Sequence, residues 1–252
     1  MKKIFWSIVV ILLVLVVVAA IVLGFFLNPI VIKSVETVGP KITKTSITLD
    51  AVDLSLLTGS AKVKGLVVGN PEGYKTPNAI NVGTIAVGVD PFSVLSDKIV
   101  VHSLHVETPE ITFEGGLGGN NLSKILDNVN ATAQNGGPVS TNAAGQAKPS
   151  KKIEVDDLLI SGAKVHVLLT ELGGREMSLT LPDIHLMDLG KGGNGLTATD
   201  LTRRVLQEIV TATVKAIASN SANLGKGAEK LIQGTGKNVG GGLDKIGDLF
   251  KH

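Results

Sequence analysis

Through the middle of the chain, apolar residues fall mostly at every second position. Val63-Lys-Gly-Leu-Val-Val68 opens the pattern and a turn follows at Asn70-Pro71-Glu72-Gly73-Tyr74. Ile80, Val82, Ile85, Val87 and Val89 continue it across a break at Gly83, and Ile99, Val101, Leu104, Val106, Ile111 and Phe113 repeat it after a turn at Asp90-Pro91. Period-two alternation between Gly, Pro and Asn punctuation predicts antiparallel strands with one apolar and one wet face. Upstream, Ile30 to Leu57 is expected to hold the first strands: Ile47, Leu49 and Ala51 alternate with Ser46, Thr48 and Asp50, and then the phase slips so that Val52, Leu54 and Leu56 are apolar. A one-residue slip predicts a β-bulge or strand break near Ala51. Val101 and Val106 have opposite parity, so they share a face only if the strand slips near Ser103.

Beyond Phe113 the period changes. Gly115-Gly-Leu-Gly-Gly119 precedes Leu122, Ile125, Leu126 and Val129 at helical spacing, which predicts a short helix capped by Asn. The glycine spacing matches neither the dinucleotide nor the Walker pattern, so it reads as a turn. Residues 132–152 are rich in Gly, Ala, Asn, Ser, Thr and Lys and read as a disordered loop. Strand patterns resume from Ile153 to Leu169, and Met177, Leu179, Leu181, Ile184 and Leu186 suggest a further hairpin. A helix is predicted from Thr199-Asp200 to about Asn220. Its apolar arc from Leu201 to Ile217 is wide enough to be buried on the sheet. In the glycine-rich tail, 221–252, Leu224, Leu231, Ile232, Val239, Leu243, Ile246, Leu249 and Phe250 fall within about 120° on a helical wheel. That stripe predicts an amphipathic helix for a membrane surface or for the end of the sheet.

Residues 1–29 read as an uncleaved transmembrane anchor. Ile4 to Leu27 is uncharged, and as a helix it would be about 36 Å long at ~1.5 Å per residue. That clears a hydrocarbon core of about 30 Å. Lys2 and Lys3 precede the run and Trp6 sits at interfacial depth. The N-terminus is expected in the cytoplasm, with residues 30–195 forming an extracytoplasmic domain and 196–220 a helix on its sheet.

Composition narrows the function. Aromatics make up only 3% of the 252 residues, so the apolar content is aliphatic and suits strands and a membrane span. A net charge of +2 argues against nucleic acid as a partner. The chain has no cysteine, which excludes thiolate metal sites, Cys nucleophiles and disulfides.

Four motifs carry a resemblance: Leu54-Ser-Leu with Gly59-Ser-Ala-Lys-Val63, Gly65-Leu-Val-Val-Gly-Asn70-Pro-Glu-Gly73-Tyr, Asp90-Pro-Phe-Ser-Val-Leu95, and Asn121-Leu122-Ser. They resemble the AsmA-like envelope proteins, a group that includes bridge-like lipid-transport proteins. The resemblance covers roughly the first half of the chain and is weaker beyond Ser150. It implies an inner-membrane, periplasm-facing protein that supports the envelope by handling lipid acyl chains.

The chemistry-bearing residues form no catalytic pattern. His102 and His105 have odd separation and would point to opposite faces of a strand, and His166, His185 and His252 are scattered. Asp156 and Asp157 would likewise diverge. Ser123 and Ser161 lack a Gly-x-Ser-x-Gly setting. No cofactor, metal or enzymatic activity is expected. The expected fold is α+β, mainly β: a transmembrane helix, a curved antiparallel sheet and C-terminal amphipathic helices. The candidate groove-lining residues are Val87, Val89, Val101, Val106, Ile111 and Val165. Membrane lipids are the expected partners, with envelope proteins or a second copy beside them. The alternative is a structural or partner-binding module whose sheet is filled by the Leu201–Ile217 helix and holds no cavity.

Overall fold

The computed structural model describes residues 27–55, 57–116, 119–138, 140–141, 147–148, 151–169 and 175–220. The expected anchor, apart from its last few residues, and the apolar stripe of the tail lie outside them. No described helix is long and apolar enough to cross a membrane.

The fold is α+β and mainly β, with three helices on a curved open sheet. Eleven strands join in that sheet: β1 (Ile47–Thr48), β2 (Ala51–Ser55), β3 (Ser60–Gly69), β4 (Asn78–Val89), β5 (Lys98–Glu107), β6 (Glu110–Gly116), β7 (Gly119–Asn120), β10 (Lys152–Ser161), β11 (Lys164–Leu169), β12 (Arg175–Thr180) and β13 (Ile184–Leu189). Helix α1 spans residues 27–43, α2 Asn121–Gln134 and α3 Ala198–Ser219. Two corrections follow. The expected loop 132–152 instead contains the end of α2 and a small ribbon of β8 (Ser140–Thr141) and β9 (Ala147–Lys148). The sheet is mixed, because β10 runs parallel to β5 and β11 parallel to β6, with α2 in the connection between them.

The register shows that several strands are halves of longer ones. β4 pairs Thr84 with Glu107 of β5 and Asn81 with Glu110 of β6, so β5 and β6 are collinear. β10 and β11 follow them in step, pairing Ser161 with Glu107 and Lys164 with Glu110. β12 and β13 lie along β11 and β10 in turn. The expected hairpin of Met177 to Leu186 is therefore one strand interrupted at Leu181–Asp183, where Pro182 can donate no ladder hydrogen bond.

One row of irregularity crosses all six long strands. Inward-facing residues mostly alternate, but at this row two consecutive residues stand between them: Asp50-Ala51, Lys64-Gly65, Gly83-Thr84, Glu107-Thr108, Ser161-Gly162 and Pro182-Asp183. The pairs are aligned, as Ala51↔Lys64, Lys64↔Thr84, Thr84↔Glu107 and Glu107↔Ser161 show. Gly65 and Gly162 take left-handed φ values of 62–63° there, which suits glycine. Thr108, at φ 45°, is the costlier case, being β-branched. A row that doubles the outer residue on every strand lets the sheet fold toward its inner face, and several strands are interrupted there before pairing resumes. The break expected near Ala51 is part of this row.

A second row lies five residues further along. Val101 and Leu104 both face inward, as do Val155 and Leu158, and Leu186 and Leu189. The β4–β5 register shifts between Gly88 and Val89, opposite it. Val101 and Val106 therefore share the inner face, by way of the slip at His102-Ser103.

Sequence patterns explain the helices. In α1, Val31, Val35, Val38 and Ile42 recur at helical spacing and face inward to varying degrees. Asn120 caps α2, its side chain accepting from Ser123 N at 2.8 Å. Thr197 caps α3 by accepting from Asp200 N at 3.0 Å, so α3 begins just before the expected Thr199. Leu122, Ile125 and Val129 of α2 and Val210 and Ile217 of α3 are almost wholly buried.

Candidate functional site

The inner face of the sheet is not fully covered. Between it and the three helices lies an apolar cavity of about 560 Å³. Val82, Ile85, Val106, Ile111 and Ile160 form part of its floor; Val35, Val38, Leu201 and Val205 form part of its walls. The alternation brings these aliphatic side chains to one face, and the double-residue row keeps them there as the sheet bends.

Three lining residues carry hydroxyls: Ser34, Thr43 and Thr202. Each donates to the carbonyl four residues back in its own helix, Ser34 to Ile30 O at 2.7 Å, Thr43 to Gly39 O at 3.0 Å and Thr202 to Ala198 O at 2.8 Å. The lining therefore has no charged group and no hydroxyl free of its own backbone. It offers apolar contact and nothing to polarise a bond. An apolar cavity of this size falls within the ~300–1,000 Å³ range of ligand sites.

Two of the six groove candidates, Val106 and Ile111, line the cavity. Val101 and Val165 are buried in the core outside its lining. Val87 and Val89 are half-buried and continue the inner face from Ile85 toward the β4–β5 turn. Sequence reasoning missed the contribution of α1. The helix Leu201–Ile217 does pack on the sheet, yet it leaves the cavity open beneath its N-terminal half.

Titratable groups gather elsewhere. The second row turns His102, His105, Asp156 and Asp157 to the outer face, where the sequence reading expected divergence. His102 Nδ1 lies 3.0 Å from Asp156, and Asp157 meets both His105, at 3.2 Å, and His185. Hydrogen bonds from His185 and then His105 hold the Asp157 carboxyl below its ordinary value. The cluster is solvent-exposed, and no His, Cys, Asp or Glu group among the described residues is arranged to hold a metal ion.

A buried polar latch explains two of the sequence motifs. Glu114, 2% exposed, accepts from Lys75 N at 2.7 Å, Thr76 N at 2.8 Å and the Thr76 hydroxyl at 2.6 Å. Asn121 accepts from Glu114 N at 2.9 Å and donates to Asn70 Oδ1 and Thr112 O, both at 2.7 Å. Asn70 donates in turn to Thr76 O at 2.8 Å. Burial opposes ionisation of Glu114, but the three donors outweigh it and hold the carboxyl below its ordinary value. The latch ties the β3–β4 turn to β6 and α2.

The site is thus an apolar cavity between an open curved sheet and three helices. A sequence model of the AsmA family matches residues 1–173, and the chain belongs to that family. Membership points to an envelope-associated role. The match spans the sheet through β11; α3, which closes the cavity, lies beyond it. No curated protein matches the chain.

Proposed function

We propose that this protein holds a lipid acyl chain in the cavity under α1 and α3 and thereby supports the cell envelope. The observation that carries the reading is the lining: about 560 Å³ bounded by aliphatic side chains, with its hydroxyls turned to their own helices. Burying a chain there is worth roughly 0.8 kcal/mol per methylene, or roughly 8 kcal/mol for ten. Half-buried Val87, Val89 and Ile99 extend the apolar surface from the cavity toward the β4–β5 turn, a path along which a chain could enter.

The protein would sit in the inner membrane by its N-terminal run, with the sheet outside the cytoplasm. One sheet of this length spans no envelope, so a continuous conduit would require envelope partners or self-association. A reporter active only outside the cytoplasm, fused after His252, should be active; activity of a cytoplasm-only reporter there would reverse the orientation.

Native mass spectrometry of the full chain in mild detergent tests the cargo. An added mass that releases acyl lipid on extraction is expected, and Val106→Glu should abolish it while the helical and strand content is retained. A wild-type protein free of lipid under these conditions would overturn the reading in favour of the partner-binding alternative.

A further inference from the structure

Among the described residues five large apolar side chains are exposed: Ile30 (58%), Leu57 (61%), Phe92 (87%), Leu95 (90%) and Met187 (64%). The first four lie at one end of the molecule. Leu57 sits in the β2–β3 turn, and Phe92 and Leu95 in the β4–β5 turn. The two turns adjoin, since Val89 N donates to Gly59 O at 2.6 Å and a Cβ on Gly59 would lie 3.0 Å from Pro91 Cδ.

Helix α1 fixes where the preceding chain leaves. Leu54 N donates to Asn28 Oδ1 at 3.2 Å, beside the β2–β3 turn. Five residues back along the same edge of the sheet, Leu49 N donates to Glu36 Oε1 at 3.2 Å. The helix thus runs away from the turns as its number rises, and its first described residue, Leu27, lies on the turn side. Ile30, exposed on the first described turn of α1, belongs to the same end.

The β4–β5 turn is also built to leave water. Asp90 Oδ1 accepts from Phe92 N at 2.9 Å, and Ser93, itself buried, donates to Asp90 O at 2.7 Å and accepts from Val100 N at 2.9 Å. Lys151 donates to Val94 O. These bonds hold the turn's backbone in a fixed frame from which Phe92 and Leu95 are exposed.

We propose that the β2–β3 and β4–β5 turns seat Leu57, Phe92 and Leu95 in the interfacial layer of the same bilayer that holds the N-terminal run. The inference rests on the anchored reading above. Apolar tips of this kind enter the boundary between headgroups and acyl chains. Charge does not carry the seating: Lys98 pairs with Glu154, Lys151 donates to Val94 O, and Asp90 and Asp97 lie in the same turn, so the apolar tips are what enter the layer. Two attachments, the anchor and the turns, fix the tilt of the sheet on the membrane. The half-buried inner face of Val87, Val89 and Ile99 then stands next to the lipid.

The chain has no cysteine and a single tryptophan, Trp6, which makes the test direct. Phe92→Cys and Leu95→Cys, each in the full chain, are labelled with an environment-sensitive fluorophore. They are reconstituted in phosphatidylethanolamine–phosphatidylglycerol vesicles carrying doxyl lipid. Glu72→Cys, exposed in the β3–β4 turn at the other end, is the control. Loss of emission at 92 and 95 but not at 72, strongest with doxyl groups near the headgroup, is the expected result. Quenched Trp6 with unquenched labels at 92 and 95 overturns the seated turns and leaves the anchor standing. Unquenched Trp6 together with unquenched labels overturns both. Labels that shift to the blue without quenching overturn the proposal in favour of a protein partner on the turns.

Discussion

At the β3–β4 end of the sheet polar groups are buried; at the β2–β3 and β4–β5 end apolar groups are exposed. The first end places Glu114, Asn121, Asn70 and Thr76 in one closed network, each partner within ordinary hydrogen-bond distance. The second end leaves Phe92 and Leu95 some nine-tenths exposed on a turn framed by hydrogen bonds to Asp90 and Ser93. A buried polar group without partners costs free energy, so the first network must be complete to be tolerated. Exposed apolar side chains cost the fold little, and the bilayer proposed above is the surface they would meet. Both ends come from motifs of similar appearance, an Asn-Pro turn and an Asp-Pro turn. Their roles differ because of what stands across from them.

The largest effect should come from opening the latch. Glu114→Ala leaves Lys75 N and Thr76 N without their acceptor. Hydrogen bonds to a charged group are worth about 1.5–3 kcal/mol each, so a loss of about 3 kcal/mol or more is expected. For a chain of this size that lowers the melting temperature by roughly 6–12 °C, measured by circular dichroism. Glu114→Gln, which keeps an acceptor oxygen, should lose less. The sign with pH follows from the lowered folded value. The carboxylate's stabilisation is present above its unfolded value near 4.5 and is lost as pH falls through the folded value. The gap between wild type and Glu114→Gln should therefore close in acid. A gap that widens in acid would show that Glu114 is not held as a carboxylate.

A smaller effect is expected at the outer-face cluster. Asp157 should titrate below its ordinary 3.8, as read by carbon NMR of its carboxyl. His185→Ala should raise that value more than His105→Ala, because the His185 hydrogen bond is the larger cause. Equal shifts, or none, would show that the two imidazoles do not share the carboxylate. This cluster is polar like the latch but exposed, so its removal should leave the melting temperature much closer to wild type than Glu114→Ala does.

Much of the sheet is legible in the sequence. The alternation of Ile80, Val82, Ile85 and Val87 shows both the strand and the slip at Gly83. What single strands do not show is that the slips line up. Only the pairing of Ala51 with Lys64, Thr84 with Glu107, and Glu107 with Ser161 turns local irregularities into one row. The same blindness set Asp156 against Asp157, since parity assumes an unbroken strand. Helix α1 was obscured by its composition. Ile30, Val31, Ile32, Thr37 and Val38 are β-branched, and Gly39-Pro40 resembles a turn. The spacing of Val31, Val35, Val38 and Ile42 was the available clue. The cavity was legible as an apolar face, but its walls depend on α1 and α3, which only the three-dimensional packing brings together.

The smallest effect on stability is expected at the other end, and it is the one that separates the two ends most clearly. Phe92→Ser combined with Leu95→Ser removes two large apolar side chains. Deleting such groups from a core costs several kcal/mol, with Leu→Ala alone at about 2–5 kcal/mol. Here both side chains are exposed, and neither lies in the hydrophobic core. The double variant in detergent should therefore melt within about 0.5 kcal/mol of wild type, the usual range for surface changes. Asp90 and Ser93 keep the turn's frame, so the backbone has no reason to move. A drop comparable to that of Glu114→Ala would mean that the turn packs against protein in the folded chain. In that case both ends of the sheet would be structural, and the difference in their burial would have no bearing on the membrane.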